Sequence, residues 1–214
     1  DNPPLRDVTF VRSDGSEFSI SDKIHGGKIG GLLALRDGDM VAFQDRVDRL
    51  AAVLINEFNQ QNQSGYGLDG TTNNLFFSPL TPQAPLASDA NSGTAVGTSV
   101  SIVDSPLLTF DNYEIRFSSR SAFSVVDVTK GSTVTTGTYT SGGAINIEGL
   151  DAVITGTVVS GDVLSLSAQK GAAQRFGIAL SHTDKIAAAS TAAGIPGDNT
   201  NALALVAIHT NRQV

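Results

Sequence analysis

The sequence predicts an α+β fold, in which a discontinuous helical domain built from both chain ends carries a small inserted antiparallel β-sandwich or barrel-like domain. Three observations support this prediction. Apolar residues recur every three or four positions near the N-terminus, alternate with polar residues in the middle of the chain, and return to helical spacing near the C-terminus. A stretch rich in glycine and proline separates the first two patterns.

The chain opens with a predicted β-hairpin, because residues 8–11 and 17–20 alternate around the turn sequence Ser-Asp-Gly-Ser at 13–16. Helical spacing follows from about Ile29. Gly38 weakens the join to a longer helix that begins near Asp39.

One face of this longer helix carries apolar residues at steps of three or four: Met40, Phe43, Val47, Leu50, Leu54 and Phe58. An isolated helix is marginal in water, so this stripe needs a partner. We expect C-terminal helices at 184–193 and 201–210 to cover it, so that residues 1–80 and 171–214 form one helical domain. Truncating Leu50 or Leu54 to alanine should then cost about 2 to 5 kcal/mol each.

The inserted all-β domain is predicted at residues 98–170, with 81–97 as a linker. Period-two alternation and regularly spaced glycine turns indicate short antiparallel strands. The expected inward-facing residues are Tyr113, Ile115, Phe117, Phe123, Val125, Ile145, Ile147, Leu164 and Leu166.

Charge and composition exclude several classes of protein. Lys and Arg total 14 against 21 Asp and Glu, and the net charge of −7 opposes binding to nucleic acid or to an anionic membrane. No apolar run is long enough to span a bilayer. The absence of cysteine excludes disulfides, thiolate catalysis and cysteine-ligated metal.

Chemical motifs are weak throughout, and we predict no catalytic, cofactor-binding or metal-binding residues. The glycine-rich segment 26–31 fits neither a dinucleotide fingerprint nor a phosphate-binding loop. Ser167 and Lys170 match S-x-x-K, but at a predicted strand end. Glu114 and Asp127 could converge as a carboxylate pair, although solvated strand charges are the simpler interpretation.

Two further groups of residues have plain structural interpretations. His25, His182 and His209 lie far apart in the sequence, without the spacing of a metal site. The amide-rich stretch 56–63 could form a polar interface, but a fraying helix end in solvent is the simpler interpretation.

Several segments resemble the flagellar hook-associated protein 1 family. In the helical part these are GGKIGGLLALRD at 26–37, FQDRVDRL at 43–50, EFNQQ at 57–61 and GYGLDG at 65–70, followed by Phe76 and Phe77. The β-region contributes NYEIRF at 112–117, FSVVD at 123–127 and GDVLSL at 161–166. DKIAAA at 184–189 and GDNTNALAL at 197–205 are similar to the family's return into its helical domain.

This resemblance implies a structural protein of the bacterial flagellum, without enzyme activity, that forms the junction ring between hook and filament. The implied partners are further copies in the ring, the hook protein, the adjacent junction protein, and an export chaperone acting through segments absent here. The implied location is extracellular, after export by the flagellar type III secretion system. We expect the chain to be a central fragment that lacks both terminal polymerisation segments.

Two alternatives stay open at this point. The chain could be flagellin-like or a second junction protein of the same axial family. It could instead be a secreted carbohydrate-binding or adhesive β-module, if aromatic residues such as Tyr113, Phe117, Phe123 and Tyr139 stack on sugars.

Overall fold

The computed structural model describes residues 7–210, and its fold is α+β, as the sequence predicts. The chain divides into two compact units, one ending at Asp48 and the other beginning at Arg49. The division falls within one long helix.

The N-terminal unit contains the predicted hairpin and the start of the helical region. Strands β1 (Thr9–Val11) and β2 (Glu17–Ser19) pair antiparallel. Helix α1 (Gly27–Ala34) continues through a π-helical turn at Leu35–Asp39 into α2 (Met40–Ser64). The expected weak join at Gly38 is therefore this turn, which keeps the chain helical while it changes the hydrogen-bond spacing.

The second unit is built on two antiparallel sheets. One has the strand order β3-β10-β5-β6-β7 and the other β4-β9-β8. Their strands are β3 (Leu86–Ala87), β4 (Val96–Ile102), β5 (Asn112–Phe117), β6 (Ala122–Asp127), β7 (Ser132–Thr138), β8 (Ala144–Ile147), β9 (Leu150–Thr155) and β10 (Val163–Ser167).

A single apolar core joins the inner faces of both sheets, which makes this part of the unit a β-sandwich. Every residue that alternation predicted to face inward is buried, which confirms the strand prediction. Ala51, Ala52 and Val53 of α2 belong to the same core. Small side chains on this helix allow its backbone to approach the sandwich closely.

The outer strands of both sheets are short or irregular. β3 has two residues and β8 has four, while β7 and β4 carry bulges at Val134 and Thr98. These features discourage pairing with the edge of another molecule. Segment 81–97, which we expected to be a linker, contains β3 and the start of β4, and Ala95 within it is buried in the core.

The amide-rich end of α2 is buried, so the expectation that it frays in solvent is wrong. Asn59 accepts hydrogen bonds from the backbone N–H groups of Phe76 and Phe77, at 2.9 and 2.8 Å. Asn62, which is fully buried, donates to the carbonyl oxygen of Asn74 at 2.8 Å. The two asparagines thus hold the loop that contains Phe76 and Phe77 against the helix. Their side chains satisfy backbone groups of this loop that a neighbouring strand would satisfy in a sheet.

Asparagine side chains also fix the C-terminal segment. The Oδ1 of Asn62 accepts the N–H of Ala187 at 2.9 Å, and Asn201 donates to the carbonyl oxygen of Ala187 and to that of Gln61. Both polar groups of Ala187 are therefore bonded to asparagine side chains. We call Asn62 and Asn201 the asparagine clamp.

The C-terminal segment is less helical than expected. The predicted helix at 184–193 is wrong, since that stretch contains only short 3₁₀ turns at Thr183–Lys185 and Ala192–Gly194. Helix α3 (Thr200–Ala207) confirms the second predicted helix, and a 3₁₀ turn at Ile208–Thr210 follows it. The alanine-rich sequence of 187–193 has a high helix propensity, but the asparagine clamp satisfies part of its backbone in an extended form.

Candidate functional site

The N-terminal unit presents an exposed apolar surface. We call its six exposed helical side chains the apolar stripe: Ile29, Leu32, Leu35, Met40, Phe43 and Val47. The most exposed, Phe43, has 68% of its surface accessible to solvent. The expectation that C-terminal helices cover this face of the helix stays a prediction.

No apolar side chain is buried among the described residues of this unit, 7–48. The hairpin adds exposed Phe10 and Phe18, whose rings contact each other at 5.3 Å between centroids. A segment of this size without a core does not gain enough from burial to balance the entropy of ordering its chain. The unit therefore has the character of one half of an interface.

The spacing within the stripe indicates what kind of partner would cover it. Met40, Phe43 and Val47 are separated by three and then four residues, which is the repeat of a helix that packs along a second helix. The exposed flank of the same helix carries Gln44 and Arg46. This arrangement suits helix-on-helix association better than binding of a small molecule.

Within the second unit, α2 buries a different face from the one that the sequence predicted. Leu50 is 45% exposed, and Leu54 is only partly buried. The buried positions include Ala51, Ala52, Val53, Ile55 and the asparagines that follow. The predicted loss of 2 to 5 kcal/mol for Leu50→Ala therefore has to be revised.

Leu50→Ala is expected to lower the free energy of unfolding by less than about 1 kcal/mol, because much of this side chain already contacts water. Ile55→Ala is the matched comparison on the same helix. Ile55 is 2% exposed, so its truncation should cost about 2 to 5 kcal/mol. Urea denaturation of the two variants side by side tests this, and equal losses would show that Leu50 is covered in solution.

An open cleft lies beside α2 in the second unit, with a volume of about 570 Å³. We call it the Arg49 cleft. Its lining includes Arg49, Leu107, Thr109, Asp111, Lys130 and Glu148. Asp111 is 3% exposed in its side chain and pairs with Lys130 at 2.5 Å and with Arg49 at 3.4 Å. A second carboxylate, that of Asp127, lies 3.3 Å from Lys130.

One wall of the Arg49 cleft is a hydrogen-bonded group of side chains. Tyr113 donates its phenol hydrogen to the carboxylate of Glu148, and the hydroxyl of Thr109 hydrogen-bonds to both. Burial, together with the hydrogen bond to Glu148, raises the pKa of Tyr113. The phenol therefore stays protonated and serves as a fixed donor.

The charges around Lys130 stabilise one another. Its hydrogen bond to Asp111 raises the pKa of Lys130. Burial alone would raise the pKa of Asp127, but hydrogen bonds from the backbone and side chain of Lys130 lower it overall. These groups keep their charges across the physiological range, and neither is poised for proton transfer.

The other motifs noted in the sequence do not assemble into a site. Glu114 and Asp127 face opposite sides of the sheet, because Asp127 lies opposite Tyr113, and Glu114 pairs with Arg116 at 2.7 Å. Among residues 7–210, no group of three or more metal-ligating side chains is placed to hold an ion. Over the same residues, no helix is long and apolar enough to cross a membrane.

Comparison with known proteins shows which proteins this chain resembles. Residues 1–77 match the family model described as the flagellar hook-associated protein FlgK helical domain. The flagellar hook-associated protein 1 of Escherichia coli (strain K12) is 28% identical over 214 residues, covering 98% of this chain and 38% of that protein. Nearly the whole chain is therefore similar to a flagellar hook-associated protein. The chain spans less than half the length of this FlgK relative.

The solved structure of the flagellar hook junction protein FlgK from Burkholderia pseudomallei is similar as well. Its TM-score is 0.62 at 29% identity, over 82% of this chain and 32% of that one. The resemblance inferred from the sequence is confirmed. The apolar stripe lies within the matched helical domain of FlgK, whereas most of the Arg49 cleft lies beyond it.

Proposed function

We propose that this chain is a structural segment of the flagellar hook–filament junction and that the apolar stripe is its assembly surface. One observation carries the proposal: the described residues of the N-terminal unit bury no apolar side chain. This unit lies in the region matched by the FlgK helical-domain model. The relatives are named for the flagellar hook and its junction, and these names support a structural role for this chain. We infer that the chain has no enzyme activity.

The energetics favour a protein partner. Fully burying a large apolar side chain contributes roughly 1.5 to 3 kcal/mol, so six partly exposed ones represent several kcal/mol of unused stabilisation. Association has an entropy cost of at least about 4 kcal/mol, which a stripe of this length can offset. A small ligand would leave most of the stripe in water.

The proposed partners follow from the family. They are neighbouring copies in a ring, the hook protein, the adjacent junction protein and, for the full-length protein, an export chaperone. The proposed location is the extracellular flagellum, reached through the flagellar type III secretion system. Nucleic acid and membrane are not among the proposed partners, in keeping with the net charge of −7.

The domain division predicted from the sequence stays part of this proposal. The hydrogen bond between Ala187 and Asn62 supports a unit assembled from distant parts of the chain, as do the backbone bridges of Tyr66 with Ala189 and of Phe77 with Ile178. Residues 1–80 and 171–214 would then flank the inserted sandwich.

The test replaces apolar stripe residues in the full-length flagellar protein. Phe43→Glu combined with Val47→Glu should abolish filament attachment and motility, because loss of two apolar contacts weakens association by about 3 kcal/mol, or more than a hundredfold. Both positions are exposed, so the circular dichroism spectrum of the 214-residue chain should not change.

Gln44→Glu is the matched control, since it adds a negative charge at an exposed polar position of the same helix. It should leave motility intact. Motile cells carrying the Phe43 and Val47 double variant would refute the assembly role of the stripe.

A further inference from the structure

The apolar stripe passes through the π-helical turn without leaving one face of the helix. Leu35 and Met40 are five residues apart, and the N–H of Met40 donates to the carbonyl oxygen of Leu35. A hydrogen bond that joins residues five apart defines a π-turn, which accommodates one extra residue within a helix. Leu35 and Met40 therefore lie one turn apart on the same face. We call Leu35, Met40, Phe43 and Val47 the seam.

The seam has the spacing of a coiled coil. Met40 and Val47 are seven residues apart and take equivalent a positions, and Phe43 takes the d position between them. Because the π-turn contains one extra residue, Leu35 takes the preceding d position. All four side chains are exposed, by between 38% and 68%. The seam thus offers two a and two d side chains to a second helix.

The seam is complementary to itself in the antiparallel orientation. Reversing one helix brings its a positions level with the d positions of the other. A two-fold axis halfway between Met40 and Phe43 places each Met40 against Phe43 of the other copy, and each Val47 against Leu35. All four apolar layers are then filled. Such a contact uses the same patch on both copies, so it closes as a dimer.

Two exposed charges beside the seam favour the same orientation. Asp39 and Arg46 each precede an a residue, so both take g positions on one side of the seam. Neither has an ion-pair partner among residues 7–210. In the antiparallel pair, Asp39 of each copy lies beside Arg46 of the other, and charges at such positions set helix orientation. In a parallel pair, Asp39 would instead meet the uncharged Gln44.

We propose that a second copy of the chain covers the apolar stripe in an antiparallel, two-fold helix pair. The seam supplies the apolar contacts, and the two pairs of Asp39 with Arg46 set the orientation. The inference rests on the proposed function in one respect, because both take the stripe as an association surface. It adds the occupant in the free chain, which a junction partner has to displace.

Sedimentation equilibrium of the 214-residue chain tests the proposal. The parent chain should pass from monomer to dimer between about 1 and 300 μM, since small interfaces are weak. Asp39→Arg brings arginines together and Arg46→Asp brings aspartates together, so each variant should dimerise about tenfold more weakly. An equimolar mixture of the two variants should dimerise like the parent chain, because each copy carries the charges that complement the other.

A control and a second measurement make the test specific. Glu17→Arg changes the net charge as Asp39→Arg does, but at an exposed position of the hairpin, and it should dimerise like the parent chain. The chain has no cysteine, so Lys28→Cys can carry a single spin label. At 1.5 Å of rise per residue, the two labels of an antiparallel pair should lie roughly 40 Å apart. A parallel pair would bring them within about 20 Å, because packed helices lie close together.

A parent chain that stays monomeric over this range would overturn the proposal and leave a helix of another protein as the occupant of the stripe. A dimer that neither charge variant weakens would overturn the antiparallel pairing. If circular dichroism shows that the charge variants do not fold, the label distance decides, and the short distance refutes the proposal.

The motility test of the Phe43 and Val47 double variant is independent of this one. Failure of the chain to pair with itself leaves the assembly role of the stripe standing. Motile cells carrying the double variant would refute that role without affecting the dimer.

Discussion

Asn62→Ala is expected to lower the free energy of unfolding by about 2 to 5 kcal/mol. The side chain is completely buried, and it satisfies the N–H of Ala187 and the carbonyl of Asn74. Truncation leaves both backbone groups without this partner, and an unsatisfied buried group costs about 1 to 3 kcal/mol. The C-terminal segment should lose the most stability, because Asn62 and Asn201 together hold its backbone.

Chemical denaturation monitored by circular dichroism measures this loss. Gln60→Ala is the matched control, because Gln60 lies two residues earlier on the same helix and is only partly buried. Its free energy of unfolding should change by less than about 0.5 kcal/mol, as for other surface substitutions. A loss for Asn62→Ala no larger than that of the control would mean that the asparagine clamp does not stabilise the fold.

Gly97→Ala is expected to cost about 3 kcal/mol or more, at the upper end of the range for overpacking. A β-carbon at this position would lie 2.0 Å from the carbonyl oxygen of Pro85. The neighbour is backbone, which cannot move aside as a flexible side chain can. Gly97 lies at the bulge of β4, where the chain running into β3 passes directly against it.

Gly177→Ala provides the control for Gly97→Ala. The nearest atom to its added β-carbon would be the side-chain hydroxyl of Ser78 at 3.3 Å, which can rotate away. Its effect on the thermal unfolding midpoint should be small. A Gly97 variant that unfolds at the same temperature as the Gly177 variant would show that Pro85 can shift at little cost.

The strands illustrate what local pattern can predict. In a strand, successive side chains point to opposite faces, so the alternation around Tyr113, Ile115 and Phe117 indicates both the strand and its buried side. The same reasoning located the hairpin at the start of the chain. It did not locate β3, because two residues are too few to show a period.

The buried face of α2 illustrates where sequence patterns fail. Leu50 and Leu54 are more hydrophobic than Ala52, Asn59 and Asn62, so the sequence favours the wrong face. A signal was available, since Asn56, Asn59 and Asn62 recur every three residues in line with Ala52 and Ile55. The Arg49 cleft had no such signal, because its lining residues come from segments far apart in the chain.

The sequence by itself determined the class of fold, the family resemblance and the apolar spacing of the helical stripe, because these depend on residue identities and on the local periods of helix and strand. Only the tertiary structure decided which helical face is buried. Burying an asparagine is favourable only where backbone partners meet it, and those of Asn62 come from 12 and 125 residues away along the chain. The end of α2 is buried because such partners meet its asparagines, whereas the apolar stripe at its start is exposed.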